Sequence, residues 1–137
     1  MKHLSVEVEL VNDEDLVRAG TGLPTSHQVR RLRTFGIVHG GAKRLVIPRS
    51  VVEQLGLHVA GTVQVRQWDG RFEQWDVARR VHLFYKGRDG VFNAVVDPAG
   101  TSLKLGAIVL QDLDLVIHWT GLDLVPRDPK QVIAEIE

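Results

Sequence analysis

The 137-residue chain contains no cysteine. That absence excludes a disulfide scaffold, a thiolate zinc site and a cysteine nucleophile, and it fits a reducing compartment, so the cytoplasm is the expected location. There is also no excess charge of either sign, because 17 Lys and Arg stand against 17 Asp and Glu. Nothing in that balance draws the chain toward nucleic acid, an anionic membrane or an acidic substrate, and partners have to be argued locally. No apolar run approaches the roughly 20 residues of a membrane helix. The first residues alternate polar and apolar instead of forming a signal-peptide core. What is present is 44% hydrophobic content, enough for one domain with a core in a chain too short for two. Residues 1–128 are expected to form that single domain, and the polar stretch 129–137 a C-terminal tail.

Leu4, Val6, Val8 and Leu10 alternate with Ser5, Glu7 and Glu9, the period-two pattern of a half-buried strand. The Asn12 to Asp15 cluster ends it, and a short helical turn and loop follow. Gln28 to Val38 reads as a second extended segment, and Gly40 and Gly41 allow a sharp turn. Leu45, Val46 and Ile47 predict a short buried strand, with Pro48 opening a helix that has Val51, Val52 and Leu55 on its inner face and Gly56 as its stop. Beyond it lie hairpins, with turns expected at Asp69-Gly70, Gly87 to Gly90 and Pro98 to Gly100. "LKLGAIVLQDLDLVIHW" then holds a strand, a glycine, a short helix and another strand, and Thr120-Gly121 turns into "LDLVP". The expectation is a mostly β domain with one or two short helices.

The stretch "GIVHGGAKRLVIPRSVVEQLGL", residues 36–57, carries the functional information. An apolar strand end, Phe35 to Val38, runs into the small-residue loop His39, Gly40, Gly41 and Ala42, followed by "RLVIP" and a helix ending "QLGL". Next comes a flap-like hairpin at Trp68, Asp69 and Gly70, then an apolar-apolar-Gly element with Leu105 and Gly106, then "LDLVP". In this order the elements resemble retropepsin-like (clan AA) aspartic peptidases, particularly the bacterial single-domain kind, over roughly residues 4–128. The resemblance implies a closed β-barrel of half-pepsin type, working as a homodimer with one loop from each chain at the twofold axis.

In that family the loop reads Asp-Thr/Ser-Gly-Ala, and two aspartates sharing one proton activate a water and polarise the scissile carbonyl. The catalytic aspartate position maps onto His39, and the neighbouring hydroxyl position onto Gly40. The resemblance therefore implies a protease homologue without catalysis, no cofactor and no metal. Its groove would retain a peptide or protein ligand under Trp68, Asp69 and Gly70. Two alternatives compete. One is an active aspartic-type peptidase that takes its carboxylate from Asp69 or from a partner chain, although an Asp before Gly is ordinary turn chemistry. The other is an AbrB/MazE-like DNA-binding regulator, which residues 42–70 resemble and the neutral charge opposes.

Other signals have plainer readings. His39 from two chains supplies too few ligands for zinc, and His58, His82 and His118 lack ligand spacing. Arg30, Arg31 and Arg33 read as a solvated strand face, not a nucleic-acid patch. Trp68 and Trp75 flank the hairpin tip, where either a recognition surface or cross-strand packing accounts for them.

Overall fold

The computed structural model of the protein describes residues 4–21, 28–39 and 41–128. Gly40 and the expected tail 129–137 lie outside the described residues.

Period-two burial builds the first strand, β1 (Leu4–Asn12), with Leu4, Val6, Val8 and Leu10 buried and the residues between them turned outward. It pairs antiparallel with β2 (Arg31–Val38), from Leu4 opposite Val38 to Val11 opposite Arg31. Between them the Asn12 to Asp15 cluster does more than end a strand. Asn12 accepts from the Asp15 amide at 3.1 Å and so caps α1 (Asp13–Gly20), whose first turn carries Asp13, Glu14 and Asp15 against the helix dipole. The short turn expected there is a helix of eight residues, and with α2 (Arg49–Leu55) and α3 (Ala107–Asp112) the described residues hold three.

β3 (Val46–Pro48) leads into α2, with Pro48 as the N-cap residue instead of the first helical one. Gly56 ends α2 at φ 59°, where a Cβ would also overlap the Arg30 guanidinium. β4 (Val59–Arg66) and β5 (Phe72–Tyr85) form the first long hairpin. β5 meets β6 (Arg88–Asp97) through Lys86 and Gly87, both at positive φ, so the turn falls earlier than Gly87 to Gly90. Two consecutive residues at positive φ give a turn whose twist matches that of the flanking strands. β7 (Leu103–Leu105), α3, β8 (Leu115–His118) and β9 (Asp123–Pro126) complete the chain, the last two strands pairing only with each other.

The sheet runs β1-β2-β7-β3-β6-β5, and β5 returns to β1, which closes a six-stranded barrel in which strands make up 53% of the described residues. Closure depends on a bulge in β5 between Ala78 and Val81, where Arg80 takes φ 57°. Before the bulge β5 pairs with β4; after it, Val81 to Phe84 pair with Asn12 to Glu9. The barrel interior holds Leu10, Leu45, Ile47, Leu83 and Leu105, all essentially without solvent contact. Residues 42–70, which suggested a swapped-hairpin DNA-binding domain, are distributed over β3, α2 and β4 of this fold. No helix among the described residues is long and apolar enough to cross a membrane.

Candidate functional site

β2 and β7 lie side by side in parallel, with Gly36 opposite Leu103 and Val38 opposite Leu105. β7 also pairs with β3, so the chain leaving β2 must pass the end of β7 to reach β3 on its far side. His39 and residues 41–45 lie along that crossing. The His39 amide donates to the Leu105 carbonyl at 3.1 Å, and the Ala107 and Ile108 amides donate to the Ala42 and Lys43 carbonyls, each at 2.9 Å. Gly106 is the point of closest approach. A Cβ there would overlap the Arg44 carbonyl oxygen and stand 2.7 Å from the Arg44 nitrogen and the Lys43 carbonyl carbon. The loop is therefore clamped on the segment that holds Leu105 and Gly106. Inside the clamp, the Ala42 amide donates to the His39 carbonyl at 3.1 Å.

The opposite wall is the β4–β5 hairpin. Arg66 faces Phe72, the Gln67 amide donates to the Arg71 carbonyl at 2.7 Å, and the Gly70 amide donates to the Gln67 carbonyl at 2.9 Å. The loop is thus three residues, Trp68, Asp69 and Gly70, with Gly70 at φ 87° in the left-handed position such loops require. Asp69 accepts from the Arg71 amide at 3.0 Å and from Arg71 Nε at 2.6 Å, so its carboxylate is held by the turn. The two tryptophans differ. Trp75 sits opposite Val63 and donates Nε1–H to Glu73 at 3.0 Å, whereas Trp68 is 97% exposed at the tip.

A cleft of about 780 Å³ separates loop and hairpin. His39, Gly41 and Ala42 form one side, Val63 to Trp68 with Trp75 the other, and Val46 and Val95 the apolar end. The imidazole of His39 is exposed and close to Gly41, where an added Cβ would stand 3.2 Å from its Cε1. Among the described residues no Asp or Glu lines the cleft; the ionisable groups that do are His39, Lys43, Arg44, Arg66 and Lys104. Sequence reasoning passed over those four cations. Lys43 and Arg44 directly follow the loop and were visible, but Arg66 and Lys104 arrive from strands distant in sequence.

The remaining candidates lie elsewhere. Arg31 pairs with Glu9 and Arg33 with Glu7, both at 3.4 Å across β1 and β2, as expected of a solvated strand face. Arg30 grips the buried Asp15 with two parallel hydrogen bonds, Nε to Oδ2 at 2.8 Å and Nη2 to Oδ1 at 2.9 Å. This pairing, above all the hydrogen bond, raises the Arg30 pKa and keeps it charged. His82 lies between Asp13 at 3.0 Å and Asp89 at 2.6 Å, and His118 lies 3.3 Å from Asp123. Among the described residues no three His, Cys, Asp or Glu side chains gather to hold a metal ion.

The closed barrel, with the loop after β2 clamped against Gly106, is a retropepsin-like β fold. Among solved structures the chain is similar to the EIAV protease complexed with the inhibitor HBY-793. The TM-score is 0.55 at 19% identity, over 82% of this chain and 88% of that one. No protein-family model matches the chain, and no curated protein matches its sequence.

Proposed function

We propose that this chain is a retropepsin-like aspartic protease homologue that does not cleave peptides, and that it binds an extended peptide or protein segment in its groove as a cytoplasmic homodimer. The observation that carries the reading is a cleft between the His39 side and the β4–β5 hairpin with no carboxylate among the described residues that line it. Hydrolysis of this type requires two carboxylates that share a proton, one to activate water and one to polarise the carbonyl. His39 stands at the end of β2 where that acid is needed, and an imidazole supplies a base without the paired acid. Asp69 is engaged with Arg71 in the hairpin turn, which counts against it as a substitute.

Binding without cleavage needs only what the groove still offers. Among the described residues β4 is the last strand of its sheet and pairs with β5 alone, so its outer backbone edge is available to an added strand. A homodimer would bring two such loops together, and the exposed Ile108, whose amide holds the Lys43 carbonyl beside the loop, is available to an isologous contact.

The experiment is cleavage of an unfolded protein mixture from acid to neutral pH by the natural chain and by a His39→Asp, Gly40→Thr variant. Cleavage by the variant alone, blocked by an aspartic-peptidase inhibitor, is the expected result. Cleavage by the natural chain would overturn the reading. Sedimentation of the purified chain tests the dimer, and a monomer at all concentrations would remove that part.

A further inference from the structure

We infer that the groove selects acidic extended segments, an inference that rests on the peptide-binding reading above. The chain as a whole is neutral, with 17 cationic and 17 anionic side chains. Across most of the described surface the two signs are matched: Arg30 with Asp15, Arg31 with Glu9, Arg49 with Asp76 and Arg71 with Asp69 all lie within salt-bridge distance. The cleft departs from that pattern. Lys43, Arg44, Arg66 and Lys104 all line it, and among the described residues no acidic side chain lines it and none of the four has a carboxylate within ion-pair distance. Four unmatched cations in one concave site, with His39 on one of its walls, set up a local positive potential that the net charge conceals. Two acids, Glu73 and Asp97, line the neighbouring pocket that Lys104 shares, and neither lies within ion-pair distance of it. Glu73 accepts from Trp75 at 3.0 Å, and Asp97 accepts from the Ala99 and Gly100 amides at 3.1 and 2.9 Å.

The form of the ligand follows from β4. Side chains of a strand alternate between faces, so a cleft that met only one face would be lined by every second residue. Val63, Gln64, Val65, Arg66 and Gln67 line it consecutively, which places the edge of the strand toward the cleft. That edge carries unpaired backbone groups suited to a peptide strand. Val46, Val63, Val65 and Val95 add aliphatic surface for apolar side chains between the acidic ones. A single-stranded nucleic acid would share the charge preference, but it would use stacking surfaces and leave the strand edge unpaired.

The test uses calorimetric titration of the full chain with three unlabelled peptides of about six residues, the length that spans the lining run from Val63 to Gln67. They alternate Val with Glu, with Gln or with Lys. The Glu peptide is expected to bind about tenfold more tightly than the Gln peptide. The preference should shrink in an Arg44→Gln, Lys104→Gln variant and in high salt. Equal affinity for the Glu and Gln peptides overturns the acidic selectivity and leaves the peptide groove standing. No binding by any of the three overturns both. Tighter binding of an oligothymidylate of about ten nucleotides than of the Glu peptide overturns the choice of a peptide ligand.

Discussion

Gly106 lies against the backbone of Arg44 with no room for a Cβ between them. Its own backbone, at φ −85°, is open to any residue, so the need for glycine here is steric. A Gly106→Ala chain must move either the loop of residues 39–45 or α3. The amide bonds from Ala107 and Ile108 to that loop tie the two together. The expected loss is about 3 kcal/mol, the upper end for overpacking, because the obstacle is backbone. In a domain of this size that is a fall in Tm of about 10 °C. Gly20→Ala, at the end of α1 with nothing within 4 Å, is the control and should change little. Equal melting of both variants would show that the loop is not clamped.

Asn12 joins three elements. Its Oδ1 caps α1 through the Asp15 amide, and its Nδ2 donates to the Leu55 carbonyl at the end of α2, at 2.8 Å. It is 3% exposed, so water does not replace either bond. Asn12→Ala should cost about 2 to 3 kcal/mol in urea unfolding, one part from the lost cap and the rest from the carbonyl left without its donor. Asn12→Asp separates the two roles, because a carboxylate can still cap α1 but sets an acceptor against the Leu55 carbonyl. It should be no more stable than Asn12→Ala, and a return to wild-type stability would remove the α2 contact from the argument.

Much of the barrel was legible because its signals are local. The alternation of Leu4, Val6, Val8 and Leu10 is the burial pattern of β1, and Asp69-Gly70 marked a hairpin. The errors arose where one residue type serves two purposes. Asn12 looked like a strand terminator and is also a helix cap, so α1 was shortened. The Gly87 to Gly90 turn was set too late, because Lys86 takes positive φ without being glycine. Of the cleft lining, His39, Gly41, Ala42 and Trp68 belong to segments that the order along the chain singles out, whereas Asp69 and Gly70 do not line it. The charge of the groove could not be read from that order, since Arg66 on β4 and Lys104 on β7 meet Lys43 and Arg44 only after β7 inserts between β2 and β3.

The bulge that closes the barrel depends on a shared carboxylate. Asp13, buried at the start of α1, is held by both Arg80 and His82 of β5. Removing either partner leaves the other in place, whereas removing both strands a buried carboxylate. Arg80→Met and His82→Gln should therefore be non-additive, the double variant losing roughly 0.5 to 1 kcal/mol more than the sum of the singles. Additive losses in chemical denaturation would mean that the two contacts act independently.

Trp68 offers a way to separate binding from folding. At 97% exposure it has almost no buried surface to lose, so Trp68→Ala should leave stability within about 0.5 kcal/mol of the natural chain. It nevertheless lines the cleft at the hairpin tip, where a bound segment would cover it, and a large aromatic in such a place carries binding energy out of proportion to its contacts. Affinity for the acidic Val-Glu peptide should fall about tenfold, and titration should quench or shift the Trp68 emission in the natural chain. Trp75→Ala should behave in the opposite sense, costing stability through its cross-strand contact with Val63 whether or not a ligand is present. If Trp68→Ala binds the peptide as well as the natural chain does, the hairpin tip is outside the recognition surface and the ligand lies deeper, along the β4 edge.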